Sequence, residues 1–199
     1  MKAVIKEMPK KWLEERRASD ASRYDEVWEG VLHMAPAPNT DHQELAGALF
    51  ILLTERWAKR VGGLVLYEVN VTTPEDEPNW SNNYRIPDIV MLSPERLIYR
   101  KRDYIVGPPL VCIEFHSPGD ESYDKLPFYA KLGVPEAWII HRDSKEPELH
   151  VLDGESYQVA KVDEEGWGHS AAVGIAMKSA NQKLLVRFGD EKEASIVPN

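Results

Sequence analysis

Cysteine is nearly absent from this chain. Its single cysteine, Cys112, stands in an apolar stretch and has no partner for an internal disulfide, which fits a reducing compartment. Long apolar runs are absent as well, and none approaches the roughly 20 residues that a transmembrane helix needs. The N-terminal residues also lack the continuous apolar core of an export signal. The sequence therefore predicts a cytoplasmic protein with no membrane partner.

The chain also lacks the excess of basic residues that many nucleic-acid-binding proteins carry. It has 24 Lys and Arg against 33 Asp and Glu, which gives a formal net charge of -9. This balance counts against strong non-specific binding to phosphates, although an uneven charge distribution leaves local contacts open. Basic residues cluster at 10–17 and at 96–102, where solvated surface is the simpler interpretation.

No internal repeat, low-complexity tract or linker divides the sequence. Its 199 residues, 43% hydrophobic and 29% charged, have the size and composition of a single globular domain, residues 1–199. Within it we expect a core over about residues 20–153, a C-terminal extension of β-hairpins over 154–189, and a frayed tail over 190–199.

Local patterns in the first third of the chain predict helices around a hairpin. A short amphipathic helix is expected over residues 9–18. Mixed polar and apolar positions around a Glu-Gly turn indicate a hairpin over 24–35. Thr40 or Asp41 is the expected N-cap of a longer helix, which runs through Lys59 and presents a leucine-rich face to the core.

The rest of the chain alternates strand patterns with one more helix. That helix is expected over 121–132, with Pro127 in or near its first turn. Strand patterns fall at 64–72, around Asp88, around Glu114, and at 136–141, 148–153, 155–162, 169–173 and 182–188. This order predicts an α/β protein with a mixed central β-sheet flanked by helices, and with additional antiparallel β-hairpins at the N- and C-terminal ends.

Two of the predicted strands each carry one acid among apolar residues. Asp88 follows Ile86 and precedes a run of four apolar residues, and Glu114 follows another such run. Burying a bare carboxylate is too costly, so each acid must be paired, protonated or bound to a metal. Alternation along the second strand places Glu114 and His116 on one face, so these two side chains can share a site.

Paired carboxylates with a nearby backbone carbonyl offer hard oxygen ligands, which suit Mg²⁺ or Mn²⁺. Such an ion can polarise a phosphodiester and lower the pKa of an attacking water. Lys125, which lies one turn into the helix predicted after the Glu114 strand, is the candidate for orienting that water or stabilising the developing charge. The alternative at this point is a buried ion pair, for instance between Asp88 and either Arg85 or Lys125.

Several short motifs follow one another along the chain. They are Tyr24-x-Glu26-x-x-Glu29-Gly30, Met34-x-Pro36, His42, Pro87-Asp88, Glu114-x-x-Ser117-Pro118, Asp124-Lys125-x-x-x-Tyr129 and Gly133-Val134-x-Glu136-x-Trp138. In this order they resemble the Uma-type family of putative restriction endonucleases, a branch of the PD-(D/E)XK nuclease superfamily. The resemblance covers about residues 20–153 and implies a restriction-endonuclease-like core.

The resemblance also implies roles for individual residues. Asp88 and Glu114 would be the metal-binding carboxylates, with the Phe115 carbonyl as a third ligand. His116 stands where the superfamily has its lysine, and this branch takes its lysine from the following helix, which here is Lys125. Whether His116 or Lys125 positions the water stays open. The residues implied to lie around the site are His42, Glu29, Glu44 and Tyr129.

The function that the resemblance implies is that of a DNA endonuclease. It would hydrolyse phosphodiester bonds with water activated by Mg²⁺ or Mn²⁺, and cutting both strands of DNA would favour a homodimer. The acidic composition and the missing lysine at the usual position leave a second hypothesis, a non-catalytic binding or scaffold protein that keeps the nuclease fold.

Overall fold

The computed structural model describes residues 3–5, 11, 14–15, 18, 22–35 and 37–198. The helix expected over 9–18 falls mostly outside the described residues, and the four residues of it that are described are helical. The helices in chain order are α1 (Thr40–Leu53), a π-helical turn (Thr54–Ala58), α2 (Lys59–Val61) and α3 (Leu126–Leu132). Short 3₁₀ segments cover Glu77–Asn82, Pro94–Tyr99 and Tyr123–Lys125.

The strands form three sheets. In chain order they are β1 (Ala3–Ile5), β2 (Glu26–Trp28), β3 (Val31–Met34), β4 (Leu64–Tyr67), β5 (Asn70–Thr72), β6 (Tyr84–Arg85), β7 (Ile89–Leu92), β8 (Tyr104–Val106), β9 (Val111–His116), β10 (Glu136–His141), β11 (Pro147–Asp153), β12 (Ser156–Val159), β13 (Gly168–Ser170), β14 (Ile175–Ala180), β15 (Lys183–Phe188) and β16 (Ser195–Val197). Together with the helices they confirm the predicted mixed α/β class.

The central sheet has the strand order β12-β11-β10-β9-β7-β4. Strands β9 and β10 run parallel, and the other neighbours run antiparallel. The parallel pair needs a crossover connection, which the 3₁₀ segment and α3 supply. Strand β7 is buried at every position and β9 and β10 at all but their last. This burial on both faces explains their nearly continuous apolar sequences.

The N-terminal sheet has the strand order β1-β3-β2-β6-β5-β8. Its hairpin, β2 and β3, confirms the prediction over 24–35, and its register sets Glu26 opposite His33. Glu29 and Gly30 form the turn, and both have positive φ angles of 52° and 83°. The hairpin therefore carries Glu26 and His33 side by side toward the end of the central sheet.

The N-cap of the long helix lies one residue before the predicted caps. Asn39 is its N-cap, since the Asn39 side chain accepts a hydrogen bond from the His42 amide at 2.9 Å. The prediction of Thr40 or Asp41 as the cap was therefore wrong, although Asn is equally suited to this position. Gly62, with a φ of 72°, ends the helical segment. In the described part of the chain, no helix is both long and apolar enough to cross a membrane.

The C-terminal sheet, β13-β14-β15-β16, packs on the same core as the central sheet. Its buried side chains join those of α1 and the central strands in one cluster: Val173, Ile175, Met177, Leu184, Val186, Phe188 and Val197. The Glu136 carboxylate of β10 links the two sheets, because it accepts hydrogen bonds from the Ser170 hydroxyl at 2.6 Å and the Ala172 amide at 3.0 Å.

Two strand predictions were wrong in extent, and so was the prediction of a frayed tail. The strand expected over 64–72 is divided between two sheets, because Glu68, with a φ of 48°, turns the chain between β4 and β5. The strand expected over 169–173 is interrupted, with β13 ending at Ser170 and β14 starting at Ile175. The tail expected to be frayed contains β16, which pairs antiparallel with β15.

Candidate active site

The ladder between β7 and β9 brings the two predicted acids together. Ile89 pairs with Ile113 in this antiparallel ladder. Asp88 directly precedes β7, and its carboxylate accepts a hydrogen bond from the amide of Phe115, the residue after Glu114. The sequence separation of the two acids had suggested adjacent strands, and β7 and β9 are adjacent in the sheet.

Asp88 has one partner from β9 and another from α1. Its Oδ2 accepts a hydrogen bond from the Phe115 amide at 2.7 Å, and its Oδ1 lies 3.1 Å from His42 Nε2. The His42 contact is close but poorly directed, and within the described residues this buried Nε2 has no hydrogen-bond partner. Burial lowers the pKa of His42, but the adjacent Asp88 carboxylate outweighs it and raises that pKa, so a protonated His42 would form an ion pair with Asp88.

Glu114 is only 3% exposed, and both of its carboxylate oxygens have partners. Oε1 accepts a hydrogen bond from the Tyr129 hydroxyl at 2.5 Å, and Oε2 accepts one from Lys125 Nζ at 2.9 Å. Both partners come from the crossover directly after β9. Their four-residue spacing across the start of α3 places the two side chains on the same side of that helix.

Lys125 is surrounded by acceptors. Its Nζ lies 2.9 Å from Glu114 Oε2, 2.8 Å from Glu26 Oε1 and 3.2 Å from the Ile86 carbonyl oxygen. An ammonium group has three N–H bonds, so these contacts use all of them. The alternative of an ion pair between Asp88 and Lys125 is therefore wrong, since Lys125 pairs with Glu114 and Glu26 instead.

Glu26 is the acid that sequence reasoning missed. It is 5% exposed, and besides Lys125 it accepts hydrogen bonds from the Ile86 amide at 2.8 Å and from Trp28 Nε1 at 2.6 Å. Its place in the Tyr24-x-Glu26 motif was the available signal. The contact with Lys125 joins residues far apart in sequence, and no local pattern predicts such a pairing.

Three other expected residues are not brought to this cluster. Glu29 is exposed in the hairpin turn, and Glu44 is exposed on α1. His116 Nδ1 lies 2.8 Å from Asp120 Oδ1, and the His116 ring contacts Tyr123 edge-on at 5.0 Å between centroids. Of the two groups considered for positioning water, Lys125 is the one in contact with Glu114.

A cavity of about 370 Å³ opens beside the two acids. Its lining in the described part of the chain includes the carboxylates of Glu26, Glu68, Asp88, Glu114, Asp120 and Glu121. The cations on this lining are Lys125 and Arg142, and His33 and His42 face the cavity as well. The cavity is therefore strongly acidic, with its lysine held at the bottom.

The pKa values of Glu114 and Lys125 are both raised, for different reasons. Burial raises the pKa of the Glu114 carboxyl above its ordinary value, and the charges of Asp88 and Glu26 add to this while Lys125 opposes it. Burial alone would lower the pKa of Lys125, but the carboxylates of Glu114, Glu26 and Asp88 outweigh it and raise that pKa. Lys125 is therefore a cation. A second positive charge in the cavity would favour the ionised form of Glu114.

The donor atoms present are of the type that Mg²⁺ or Mn²⁺ binds. Asp88 and Glu114 contribute carboxylate oxygens, and each oxygen that accepts one hydrogen bond keeps a free lone pair. The Phe115 carbonyl lies on the same edge of β9 as its amide, which is the edge that Asp88 occupies.

Among the described residues, no three His, Cys, Asp or Glu side chains are grouped closely enough to enclose an ion. Mg²⁺ does not require such an enclosure, because it commonly binds one or two carboxylates and keeps waters or substrate oxygens. The residues present therefore fit a divalent ion held by two carboxylates and one carbonyl.

The fold and this acidic cavity define an α/β protein of nuclease-like architecture. The family model described as "Uma2: Putative restriction endonuclease" matches residues 12–178, and the chain belongs to this family. Membership in this family supports a nuclease. The resemblance drawn from the motifs is thereby confirmed.

A solved structure with a similar fold is that of a putative nuclease belonging to DUF820 from Anabaena variabilis ATCC 29413. The two share 17% sequence identity with a TM-score of 0.54, over 68% of this chain and 75% of that chain. Likeness at this identity shows a common fold alone. No curated protein matches the chain.

Proposed function

We propose that the protein is a metal-dependent DNA endonuclease whose active site is the cavity at Asp88 and Glu114. The observation that carries the proposal is the close grouping of these acids with Lys125 at the bottom of one cavity. Carboxylates are rarely buried in this way without a function or a compensating partner, because their desolvation is costly. Membership in a family of restriction-endonuclease type supports phosphodiester hydrolysis as that function.

In this proposal Asp88, Glu114 and the Phe115 carbonyl would hold Mg²⁺ or Mn²⁺. When bound, such an ion supplies positive charge that polarises a phosphodiester and makes an attacking water more acidic. Hydrolysis then joins the water oxygen to phosphorus and breaks one P–O bond to deoxyribose. The proton that the water loses is balanced by the proton that the departing oxygen gains.

The side chains around the acids hold them in place for this chemistry. Tyr129 fixes one oxygen of Glu114 by its 2.5 Å hydrogen bond, and Lys125 contacts the other. The positive charge of Lys125 would stabilise the negative charge that develops on the phosphate. Glu26 also contacts Lys125, at 2.8 Å, so the ammonium is shared between two acids.

One observation favours the second candidate, a non-catalytic binding or scaffold protein. Both oxygens of Glu114 and all three N–H bonds of Lys125 already have partners within the chain. A site closed in this manner would be stable without a ligand. The two candidates differ in whether the cluster binds a divalent ion, since a scaffold would show no binding at millimolar concentrations.

The homodimer and the cytoplasmic location stay predictions. Cleavage of both DNA strands would favour two copies of the site, and sedimentation velocity of the purified chain tests this directly. The free and buried Cys112 is compatible with a reducing compartment.

The test of the proposed function is cleavage of circular DNA by the purified protein with Mn²⁺. Both a supercoiled plasmid and a single-stranded circle are supplied, because membership in the family does not determine which form of DNA the enzyme cuts. We expect the wild type to nick or linearise at least one of them, and Glu114→Gln to leave both intact. Equal cutting by the variant, or no cutting by the wild type, would contradict the proposal.

A further inference from the structure

The C-terminal sheet carries positive charge in a chain that is acidic as a whole. Between residues 168 and 189 the sequence has three basic residues and no acid, although the formal net charge of the chain is -9. Those three are Lys178 on β14 and Lys183 and Arg187 on β15. The charge of the protein is therefore unevenly distributed, and positive charge prevails on this sheet.

Alternation along β14 and β15 places the three basic residues on one face of the sheet. Met177 and Val186, which are their neighbours in the chain, are fully buried in the shared core. Successive side chains of a strand point to opposite faces, so Lys178, Lys183 and Arg187 point away from that core. The outward positions of the four described strands include no acid. This outward side is called the basic face below.

Two of the cations share one aromatic ring. Lys178 Nζ lies 4.6 Å and the guanidinium carbon of Arg187 4.3 Å from the centroid of the Trp167 ring. Trp167 is 5% exposed, and its ring attracts each cation without neutralising its charge. Two like charges are therefore held close together on this ring, and an anion bound beside them would offset their repulsion.

The cations of the basic face have no carboxylate partner among the described residues. Lys178 and Lys183 each donate a hydrogen bond to a backbone carbonyl oxygen, at 3.1 and 3.3 Å, and Arg187 contacts the indole ring. The bordering acid Asp163 is engaged elsewhere, since it lies 2.7 Å from His169 Nε2 and accepts hydrogen bonds from two backbone amides. The positive charge of the face is therefore available to an anion from outside the chain.

The basic face lies beside the turn that borders the acidic cavity. This turn follows β10 and begins with Arg142, which lines the cavity. The Ser179 hydroxyl of β14 donates a hydrogen bond to the Ser144 carbonyl oxygen in the same turn at 2.5 Å. Lys178 directly precedes Ser179, and Lys183 lies at the same end of the sheet. This end of the basic face is therefore close to the cavity lining.

The extent of the basic face suits an extended polyanion better than a single small anion. Lys183 and Arg187 stand four residues apart on β15, which corresponds to about 13 Å along an extended strand. Duplex DNA presents about eight phosphate charges over this length of its axis. Cations spread in this way can each contact a different phosphate of one DNA molecule.

We propose that the basic face, with Lys178, Lys183 and Arg187 as its contacts, binds the phosphate backbone of duplex DNA outside the active site. This proposal rests on the proposed nuclease function and adds the surface that holds the substrate. Phosphate contacts fix the position of a protein on DNA, so binding here would hold a neighbouring stretch of the same molecule beside Arg142 and the cavity. The three residues act on affinity and do not touch the reacting atoms.

Fluorescence anisotropy with a labelled DNA duplex, without divalent metal and over a series of salt concentrations, tests the proposal. We expect Lys178→Gln, Lys183→Gln and Arg187→Gln each to lower the affinity about fivefold near 0.1 M salt. Each should also reduce the slope of log K against log salt by about 1, because it removes one phosphate contact. In cleavage, each should raise KM and leave kcat unchanged.

Matched controls remove the same charges away from the basic face. Lys131 is exposed on α3, which packs in a different part of the core from the C-terminal sheet, and the side chain of Arg102 is 95% exposed. Lys131→Gln and Arg102→Gln should bind DNA with the affinity and salt slope of the wild type. Lys183→Gln keeps the test independent of the stack on Trp167, and circular dichroism shows whether each variant is folded.

Folded variants that all keep the affinity and salt slope of the wild type would overturn the proposal. An equal loss of affinity in the two control variants would overturn it too. If the three substitutions change sedimentation of the protein but not its affinity for DNA, the face is a contact between copies of this acidic chain and the proposal is wrong. The nuclease function is judged separately, by cleavage with the wild type against Glu114→Gln, which keeps all three cations.

Discussion

Single residues at this site act through a lysine that contacts two acids. Lys125 contacts both Glu114 and Glu26, and the three groups come from the crossover, a central strand and the N-terminal hairpin. Two contacts of this kind hold the ammonium group more rigidly than one acid can, because each contact restricts its movement. Glu26 is accordingly a positioning residue, which acts on the reaction through Lys125.

We predict that Glu26→Gln lowers the cleavage rate by about 10-fold or more, as loss of a supporting partner around a metal or catalytic site commonly does. The matched control is Glu29→Gln, which makes the same chemical change in the exposed turn of the same hairpin and should leave the rate unchanged. Rates are measured on whichever DNA circle the wild type cuts, and the Mn²⁺ concentration is varied for each protein.

A purely structural role for Glu26 would give a different result. In that case Glu26→Gln would lower thermal stability but leave the rate of the folded fraction unaltered. Equal rates for the two variants, with both folded by circular dichroism, would contradict the positioning role.

The residues that sequence reasoning could identify are those whose signal is local. Asp88 and Glu114 were visible because each interrupts an apolar strand, and Lys125 because it opens the helix that follows. Glu26 was not, since its importance arises from contacts with Lys125 and the Ile86 amide, both about sixty or more positions away. Glu29 and Glu44 were named instead, and the structure leaves both exposed.

Elements position the site through strand register and through the ends of helices. The antiparallel pairing of β7 with β9 brings Asp88, just before β7, beside the Glu114 strand, and the crossover from β9 to β10 brings the lysine to Glu114. The strand around each acid was predictable from its apolar run. The division of residues 64–72 between two sheets was not, because it depends on the positive φ of Glu68, a residue type with no preference for that conformation.

The junction between α2 and β4 gives a prediction at this scale. A Cβ added at Gly63 would lie 2.7 Å from the Leu92 carbonyl oxygen and 3.0 Å from the Trp57 ring. We predict that Gly63→Ala destabilises the protein by about 1–3 kcal/mol, as overpacking of a core does. Urea denaturation measures this difference.

Gly47 provides the matched control for the same substitution. It lies inside α1, and a Cβ added there meets nothing within 4 Å. Gly47→Ala should therefore raise the free energy of unfolding by about 0.5–1 kcal/mol through helix propensity. A Gly63→Ala protein as stable as Gly47→Ala would show that the packing of β4 against the helix is looser than described.

The whole molecule is held together by a core that the central and C-terminal sheets share. Side chains of β14, β15 and β16 pack with those of α1 and the central strands, and Glu136 bonds to the chain between β13 and β14. From sequence, the C-terminal hairpins were expected as an extension of a core over about 20–153. Local strand patterns reveal neither the face on which such hairpins pack nor the partner that they cover.

We propose accordingly that the chain unfolds as one unit. A chain shortened to end at Asp153 would expose the apolar surface of α1 that the C-terminal sheet covers, and we predict that it fails to fold by itself. For the full chain, urea denaturation followed by tryptophan fluorescence and by circular dichroism should give one coincident transition. Two separate transitions, or a well-folded shortened chain, would contradict the single-domain prediction.

The central claim is that Asp88 and Glu114 form a divalent metal site, and isothermal titration with Mn²⁺ tests it most directly. The wild type and the Glu29→Gln control should bind Mn²⁺ alike, whereas Asp88→Asn and Glu114→Gln should lose that binding while remaining folded. This result would hold whichever nucleic acid is the substrate. Absence of binding to the wild type at millimolar Mn²⁺, or binding that both site variants retain, would contradict the account.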